Sequence, residues 1–320
     1  MSASTAPIEA SHDLLSARRR RLPDGGETIW LQAEDGARLR LMRWAGPDSG
    51  SCHVILTGGK RDFIERHAES VHRLLAAGHG VTMFDWRDQG LSARGSVPDD
   101  RLFDYMEGDV AAVLTSTVSD IGGPVAMAAH SMGGHMALRL LAQRPELRQH
   151  VARLVLFAPM LGLARNIPGW LLSGVSRWHV ARGRHRENAP GQPEYGPVYK
   201  SGERQRLLTG DAARFAESFD WIDREPGLAA GGATWGWILS AQRSMALLRR
   251  PGTLENISTP TLVFAGTKEK VVSNAAIEAA VARLSGARLV VIPNGHHELQ
   301  LDTDEVQAQL WSETLAFLAE

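Results

Sequence analysis

A serine between an apolar run and a helical segment is the part of this sequence best suited to chemistry. The apolar run at residues 125–129 predicts a short buried strand, and the residues from Ala137 onward predict a helix. Between them lies His130-Ser131-Met132-Gly133-Gly134. Small neighbours let a serine at a strand-to-helix turn adopt strained backbone and expose its hydroxyl above the sheet. Because the turn also directs the following N–H groups at the group under attack, Ser131 is the candidate nucleophile.

The base for this serine should be a histidine from elsewhere in the chain, because a hydroxyl is a weak nucleophile until its proton is removed. In a strand-turn-helix architecture of this kind the acid, and then the histidine, follow the serine in sequence. His296 and His297 lie on one predicted loop directly after the apolar residues 290–292. His297 is the predicted base, and His296 is the alternative.

The acid that orients the histidine is expected just past the preceding strand. Glu269 follows the predicted strand at residues 261–265 and is the carboxylate at the end of that strand. A glutamate can orient an imidazole and stabilise its cation as an aspartate does. Glu269 is therefore the predicted acid, whereas Asp302 and Asp304 are weaker alternatives because they follow the histidines.

Acyl transfer also requires N–H donors for the oxyanion that forms on the substrate. The Met132 N–H is one predicted donor because it directly follows the nucleophile. The Lys60 N–H is the other, at the end of the loop Thr57-Gly58-Gly59-Lys60, where Gly59 lets the backbone approach the substrate closely. The chain has no P-loop spacing and its histidines fit no metal-binding pattern, so neither a cofactor nor a metal is expected.

The elements that must position these residues alternate between strands and helices. Short apolar or alternating runs predict strands at residues 28–32, 38–44, 53–56, 81–85, 125–129, 154–158, 261–265 and 288–292. Helical patterns lie between most of these runs, and a closing amphipathic helix is predicted at residues 305–318. This order predicts an α/β fold with a mostly parallel central sheet, helices on both faces and sites at the carboxyl ends of the strands.

Residues 161–250 interrupt this alternation and predict a mostly helical cap over the strand ends. Five of the nine tryptophans lie in this segment. The core then comprises residues 25–160 and 251–320, and residues 1–24 are predicted to be a flexible arm. Trp235 and Trp237 of the cap, together with Gly59 and His130, are expected to contact the substrate.

The composition is that of an ordinary globular domain, with 43% hydrophobic and 22% charged residues. The net charge of −1 gives no reason to expect nucleic acid as a partner. One cysteine, no visible secretory signal and no long apolar run predict a cytoplasmic protein. Membrane contact is expected to be at most peripheral, through the cap or through the basic residues 18–21.

Three stretches resemble the α/β-hydrolase superfamily and, within it, the bacterial lysophospholipase and monoacylglycerol lipase group. Residues 84–92, Phe-Asp-Trp-Arg-Asp-Gln-Gly-Leu-Ser, are similar to the group's D-x-R-G-x-G-x-S segment. Residues 130–134 match its nucleophile turn, and residues 231–237 resemble a glycine- and tryptophan-rich stretch of the lysophospholipase branch. The resemblance covers about residues 28–318. It favours His297 as the base, because the group's histidine is commonly followed by a run like Glu298-Leu299.

The chain departs from the group's pattern at four positions. Ala129 stands at the first glycine of the G-x-S-x-G turn, and Gly58 stands where the group usually has the histidine of an H-G loop. Asp88 replaces a glycine, and Glu269 stands at the usual aspartate. Because Gly58 and Glu269 belong to the predicted oxyanion loop and triad, these substitutions bear on catalytic efficiency more than on the fold.

The candidate residues and the resemblance together imply a serine hydrolase that cleaves carboxylic esters through an acyl-enzyme. A monoacyl lipid, either a lysophospholipid or a monoglyceride, is the implied small-molecule substrate. Three further enzymes could use the same three residues, namely an acyltransferase, a thioesterase or a peptidase, and the fold does not choose between them. A non-catalytic ligand-binding relative is the remaining alternative.

Overall fold

The structure is a computed structural model that describes residues 19–47, 52–164 and 168–320. Most of the predicted N-terminal arm, residues 1–18, lies outside the described residues, as does Arg18 of the basic cluster. Three residues of the predicted cap, residues 165–167, also lie outside them.

Within the described residues the strands form one eight-stranded sheet. In chain order they are β1 (Glu27–Gln32), β2 (Arg38–Trp44), β3 (Val54–Thr57), β4 (Val81–Phe84), β5 (Val125–His130), β6 (Val151–Phe157), β7 (Thr261–Gly266) and β8 (Ala287–Ile292). Their order across the sheet is β1-β2-β4-β3-β5-β6-β7-β8. Strand β2 pairs antiparallel with β1 and with β4, and every other pair is parallel. The predicted α/β fold class with a mostly parallel sheet is confirmed.

Helices cover both faces of this sheet. In chain order they are α1 (Ala68–Ala76), α2 (Leu102–Ile121), α3 (Met132–Gln143), α4 (Gly169–Ala181), α5 (Gly202–Leu208), α6 (Ala212–Arg224), α7 (Trp235–Leu248), α8 (Asn274–Val281) and α9 (Asp304–Ala319). The sequence pattern placed the start of α3 near Ala137, but the helix begins directly after Ser131. Its first turn holds Gly133 and Gly134, which carry no apolar signal.

The two faces of the sheet bury separate hydrophobic clusters, because successive side chains of a strand point to opposite faces. In β3, Ile55 belongs to the cluster under α2, α3 and α7. Its neighbours Val54 and Leu56 belong to the cluster under α1 and α9. Strands that are buried on both faces appear as continuous apolar runs, which explains why the central strands were recognisable in the sequence.

The described residues between β6 and β7 include four α-helices, α4 to α7. Helix α7 packs against α2 and α3. Its residues Ile238, Ala241 and Met245 belong to the same hydrophobic cluster as the sheet residues Met127 and Leu156. The last helix of the predicted cap is therefore continuous with the core, whereas α4 leaves several large apolar side chains exposed.

Candidate active site

The turn between β5 and α3 holds Ser131 in backbone that L-residues rarely adopt, with φ 50° and ψ −113°. Two backbone hydrogen bonds fix it to the neighbouring chain. The Ser131 N–H donates to the Phe157 carbonyl over 3.0 Å, and the Ser131 carbonyl accepts from the Met160 N–H over 2.9 Å. Strained backbone persists only where the surroundings hold it in place, and strand β6 and the loop after it supply those contacts here.

Two residues that follow Ser131 must be small because the neighbouring chain lies very close to this turn. A Cβ atom at Gly133 would lie 2.6 Å from the Gly58 carbonyl oxygen, which real Cβ atoms do not tolerate. A Cβ atom at Gly134 would lie 3.0 Å from the Pro159 Cβ. The Gly58 carbonyl cannot easily move, because it also accepts a hydrogen bond of 3.0 Å from the Trp86 indole N–H.

We expect Gly133→Ala to lower the free energy of unfolding by about 1–3 kcal/mol, as overpacking of a filled site does. It should also lower esterase activity, because the clash moves the Gly58 loop.

Gly108→Ala is the matched control: no atom lies within 4 Å of its added Cβ. Since glycine is unfavourable inside a helix, this control should gain about 0.5–1 kcal/mol. Urea unfolding and an ester assay measure both effects, and a Gly133→Ala protein as stable and active as the wild type would contradict the packing argument.

The structure brings Ser131, His297 and Glu269 together in one chain of hydrogen bonds. The His297 Nε2 lies 3.0 Å from the Ser131 Oγ, and the His297 Nδ1 lies 2.7 Å from the Glu269 Oε2. All three reactive groups are buried: the Glu269 side chain is 0% exposed and that of His297 is 6% exposed. Such an arrangement can move the serine proton to the imidazole while the carboxylate stabilises the resulting cation.

Glu269 is held as a carboxylate by its surroundings. Burial alone would raise its pKa, but the His297 charge and hydrogen bond outweigh burial and lower the pKa below its ordinary value. Its second oxygen accepts hydrogen bonds from the Val271 N–H over 2.6 Å and from the Val272 N–H over 3.1 Å. These two donors fix the carboxylate on the loop after β7.

The alternative base and acids, His296, Asp302 and Asp304, form hydrogen bonds with other partners. The Nδ1 of His296 lies 3.0 Å from Asp302 Oδ2, and the same carboxylate oxygen accepts the His296 backbone N–H over 2.7 Å. Asp304 Oδ1 accepts a hydrogen bond of 2.6 Å from Arg214. The hydrogen-bond partner of the Ser131 hydroxyl is therefore His297.

The residues of the two predicted oxyanion donors, Lys60 and Met132, line the cavity above Ser131. Met132 is the first residue of α3, so its N–H has no acceptor within the helix. The Gly59 backbone lies against the serine, since a Cβ added there would be 3.1 Å from Ser131 Cβ. Lys60 follows directly and lines the same cavity as Ser131 and Met132.

Asp62 occupies the space next to Gly58. A Cβ at Gly58 would lie 2.5 Å from the Asp62 Cβ, which explains why glycine is needed at this position. The Asp62 carboxylate accepts the Gly59 N–H over 2.6 Å and an Arg66 N–H over 2.6 Å. Sequence reasoning missed Asp62, which is a positioning residue because it fixes the loop that carries Lys60.

His130 is hydrogen-bonded to the loop that carries His297. Its Nε2 donates to the His297 carbonyl over 3.1 Å, and its Nδ1 lies 3.5 Å from Asp62. Burial lowers the pKa of the His130 imidazole, whereas the neighbouring Asp62 carboxylate acts against that shift. The ring therefore lies between the loop that carries Asp62 and the loop that carries His297.

A cavity of about 320 Å³ opens above Ser131. Its lining is mainly apolar, and most of the apolar side chains come from the segment between β6 and β7. They are Met160, Leu163, Leu172, Leu207, Leu208, Ala233, Trp237 and Ile238. Trp237 is thus at the cavity, as expected, whereas Trp235 is not: its ring stacks on His179 at 4.2 Å between centroids. Residues two apart on a helix point in different directions, which explains the difference.

The polar part of the cavity lining contains cations that the sequence analysis did not single out. The side chains of Lys60, Arg61 and Arg204 line it. The dipeptide Lys60-Arg61 directly after the glycine pair was the signal available for two of them. Arg204 carried no such signal, because only the fold brings α5 to this place.

Neither a metal site nor a membrane span is found in the part of the chain that the structure describes. No three His, Cys, Asp or Glu side chains there are grouped so that they could hold a metal ion. No described helix is both long and apolar enough to cross a membrane.

Some known proteins are similar to this chain in sequence, and others are similar in fold. Lysophospholipase L2 of Escherichia coli K12 is 27% identical over 301 residues, which cover 86% of this chain and 82% of that protein. Rhodomycin D methylesterase DnrP of Streptomyces peucetius is 27% identical over 268 residues, 79% of this chain and 86% of that protein. The solved structure of a monoglyceride lipase from Saccharomyces cerevisiae has a TM-score of 0.72 at 18% identity and covers 91% of this chain and 94% of its own.

The family model described as serine aminopeptidase, S33, matches residues 51–304. That range includes the strand-turn-helix of Ser131 and the loops of Glu269 and His297. Together with the sheet order and the similar lysophospholipases, the match identifies the chain as a serine hydrolase of the α/β-hydrolase type that belongs to the serine aminopeptidase S33 family.

Proposed function

We propose that this protein hydrolyses a carboxylic ester of a monoacyl lipid through an acyl-enzyme on Ser131. The observation that carries the proposal is the hydrogen-bonded chain from Ser131 through His297 to Glu269, at the base of a mainly apolar cavity. Residues 161–250 act as the cap, since they supply most of the apolar lining.

The reaction begins when the Ser131 Oγ attacks the ester carbonyl carbon and His297 Nε2 takes the hydroxyl proton. The Lys60 and Met132 N–H groups donate to the oxyanion that forms. The imidazolium, stabilised by Glu269, then gives its proton to the leaving alcohol, and the acyl-enzyme remains.

Water completes the reaction. His297 removes a proton from a water molecule, whose oxygen attacks the acyl carbon. When the second oxyanion collapses, the Ser131 oxygen leaves and takes the proton back from the imidazolium. The products are a fatty acid and the deacylated alcohol.

The apolar lining supports an acyl chain as the group held next to Ser131. Leu163, Leu172 and Ile238 form part of a surface that would bury methylene groups away from water. The similar bacterial enzymes are named lysophospholipases, which is consistent with one acyl chain on a polar headgroup.

Peripheral contact with a lipid surface through helix α4 fits the same proposal. Trp170 is 77% exposed and Trp178 is 49% exposed, and Leu171 and Val175 on the same helix are exposed as well. Tryptophan and leucine on one exposed helix are suited to the interface between headgroups and acyl chains.

An aminopeptidase activity is less compatible with this cavity, despite the name of the family. Such an enzyme must hold the positive α-amino group of a peptide, which requires an available carboxylate. Two carboxylates near the cavity, Asp62 and Glu298, already bind Arg66 at 2.6 and 2.5 Å. The cations at the cavity would repel a further positive charge.

Labelling with a fluorophosphonate tests the proposed nucleophile. We expect one adduct by intact mass, mapped to the peptide that carries Ser131, and no adduct on a folded Ser131→Ala protein. The labelled wild type should hydrolyse no monoacyl lipid, whereas unlabelled protein should release fatty acid from it and leave aminoacyl-naphthylamides uncleaved. A folded wild-type protein that takes up no label, or takes it up on another residue, would contradict the assignment and favour a ligand-binding role.

A further inference from the structure

Three cationic side chains at the cavity have no carboxylate partner within the described residues. Lys60, Arg61 and Arg204 line the cavity that opens above Ser131. All three side chains are half-buried. Throughout the described ranges, none of these ammonium or guanidinium groups forms an ion pair or a hydrogen bond with another protein group.

The ring of Tyr199 holds the two arginines in place. The guanidinium carbon of Arg61 lies 4.1 Å from the ring centroid, and that of Arg204 lies 4.7 Å from it. Tyr199 is 2% exposed, and its hydroxyl donates to the Pro193 carbonyl over 2.6 Å. A guanidinium that stacks on a ring keeps its N–H edge available to a planar or tetrahedral anion.

Two carboxylates of the cavity lining are already bound. Asp62 and Glu298 both pair with Arg66, at 2.6 and 2.5 Å. Neither carboxylate therefore forms an ion pair with the two arginines on Tyr199, whereas the charges of Asp88 and Asp99 act on Lys60.

The pKa values of Lys60 and Arg61 show that these side chains are unfavourable as cations in this buried cluster. Burial, and then the charge of Arg61, lower the pKa of Lys60 to about 7. Burial, and then the charge of Arg204, lower the pKa of Arg61 to about 10. Like charges held together out of water favour the binding of an anion, which would offset both effects.

We propose that Lys60, Arg61 and Arg204 bind the phosphate of a headgroup, so that the substrate is a monoacyl glycerophospholipid and not a neutral monoglyceride. The proposal rests on the proposed ester hydrolysis at Ser131. The lipid would place its ester at Ser131 and its phosphate on the arginines, because both line one cavity. Arginine is suited to this role, since its fork of donors binds two phosphate oxygens at once.

A comparison of two substrates with the same acyl chain tests the headgroup assignment. We would measure kcat/KM for a 1-acyl-glycerol 3-phosphate and for the 1-acylglycerol in the wild type and in the double variant Arg61→Gln, Arg204→Gln. The ratio of kcat/KM for the phosphate-bearing substrate to kcat/KM for the neutral one should fall about 10- to 100-fold in the double variant, as expected for the loss of charged hydrogen bonds.

Two further variants serve as controls. Arg204→Lys should keep part of this ratio. Arg206→Gln, an exposed residue on the same helix α5, is the matched control and should keep all of it. An unchanged ratio in the double variant would overturn the proposal.

Binding to Ser131→Ala separates this proposal from the proposed hydrolysis. We would titrate that protein, with and without the two arginine changes, with the acyl-glycerol 3-phosphate, glycerol 3-phosphate and inorganic phosphate. The acyl lipid should bind most tightly and lose affinity about 10- to 100-fold in the arginine variant. This result would support the phosphate site even if the wild type hydrolysed no ester. Equal affinity for inorganic phosphate and the acyl lipid would assign the site to free phosphate and overturn the headgroup. Affinity that does not respond to the arginines would overturn the site itself.

Discussion

Replacement of His297 by alanine is expected to lower kcat/KM for an ester substrate roughly 10⁴- to 10⁶-fold, the loss typical of a triad histidine. The His297 Nε2, at 3.0 Å from the Ser131 Oγ, is the acceptor for the serine proton in this structure. Without it the hydroxyl stays protonated and the leaving alcohol receives no proton. Steady-state hydrolysis of a p-nitrophenyl ester and of a monoacyl lipid would measure the loss.

His296→Ala is the matched control, since it removes the same side chain from the adjacent position. The partner of His296 is Asp302, at 3.0 Å, so its loss affects the loop and not the proton transfer. We expect its activity to stay within about tenfold of the wild type, as for a residue that acts only through positioning. The opposite ranking of the two variants would move the base by one position. Circular dichroism and urea unfolding of both variants exclude a folding defect as the cause.

Glu269→Gln should lower kcat by about 10⁴-fold, as loss of the orienting carboxylate does in triads of this kind. The glutamine oxygen can still accept the Val271 and Val272 N–H groups, so the loop is expected to keep its shape. Its amide N–H₂ would then face His297 Nδ1, which is 2.7 Å from the present carboxylate oxygen. An imidazole held against a donor carries its proton on Nε2 and cannot accept the serine proton.

Glu269→Asp tests whether charge or reach matters more at this position. The aspartate keeps the negative charge but is shorter by one methylene, so the imidazole loses alignment and not its counter-charge. We expect a loss of about 10²-fold or less, the scale of a misplacement of about 1 Å. A Glu269→Gln protein as active as Glu269→Asp would show that the carboxylate has no role in the reaction.

The sequence was informative where a local pattern determines the structure. Strands β3 and β5 are buried on both faces, so they appear as apolar runs, and the serine turn that follows β5 has its own spacing. The start of α3 was missed because its first turn, with Gly133 and Gly134, looks like a loop until the approach of the Gly58 carbonyl is known.

The sequence pattern could not predict the direction of side chains or the contacts between distant segments. Trp235 and Trp237 looked equivalent in the sequence, yet one stacks on His179 and the other lines the cavity. Arg61 and Arg204 meet on Tyr199 although the first follows β3 and the second lies on α5. A local pattern cannot predict a contact that depends on how a long insertion packs.

The separation of 166 residues between Ser131 and His297 has a consequence for the synthesis of the protein. Domains tend to form from the N-terminus as the chain is made, and contacts between distant residues form late. The serine turn and the oxyanion loop can take shape on strands β3 to β6 while the ribosome still holds the segment with the acid and the base. Strand β8 must pair with β7 before His297 can reach the serine. A nascent or truncated chain therefore carries a Ser131 hydroxyl without its histidine partner, and that partner arrives only when the last strand is in place.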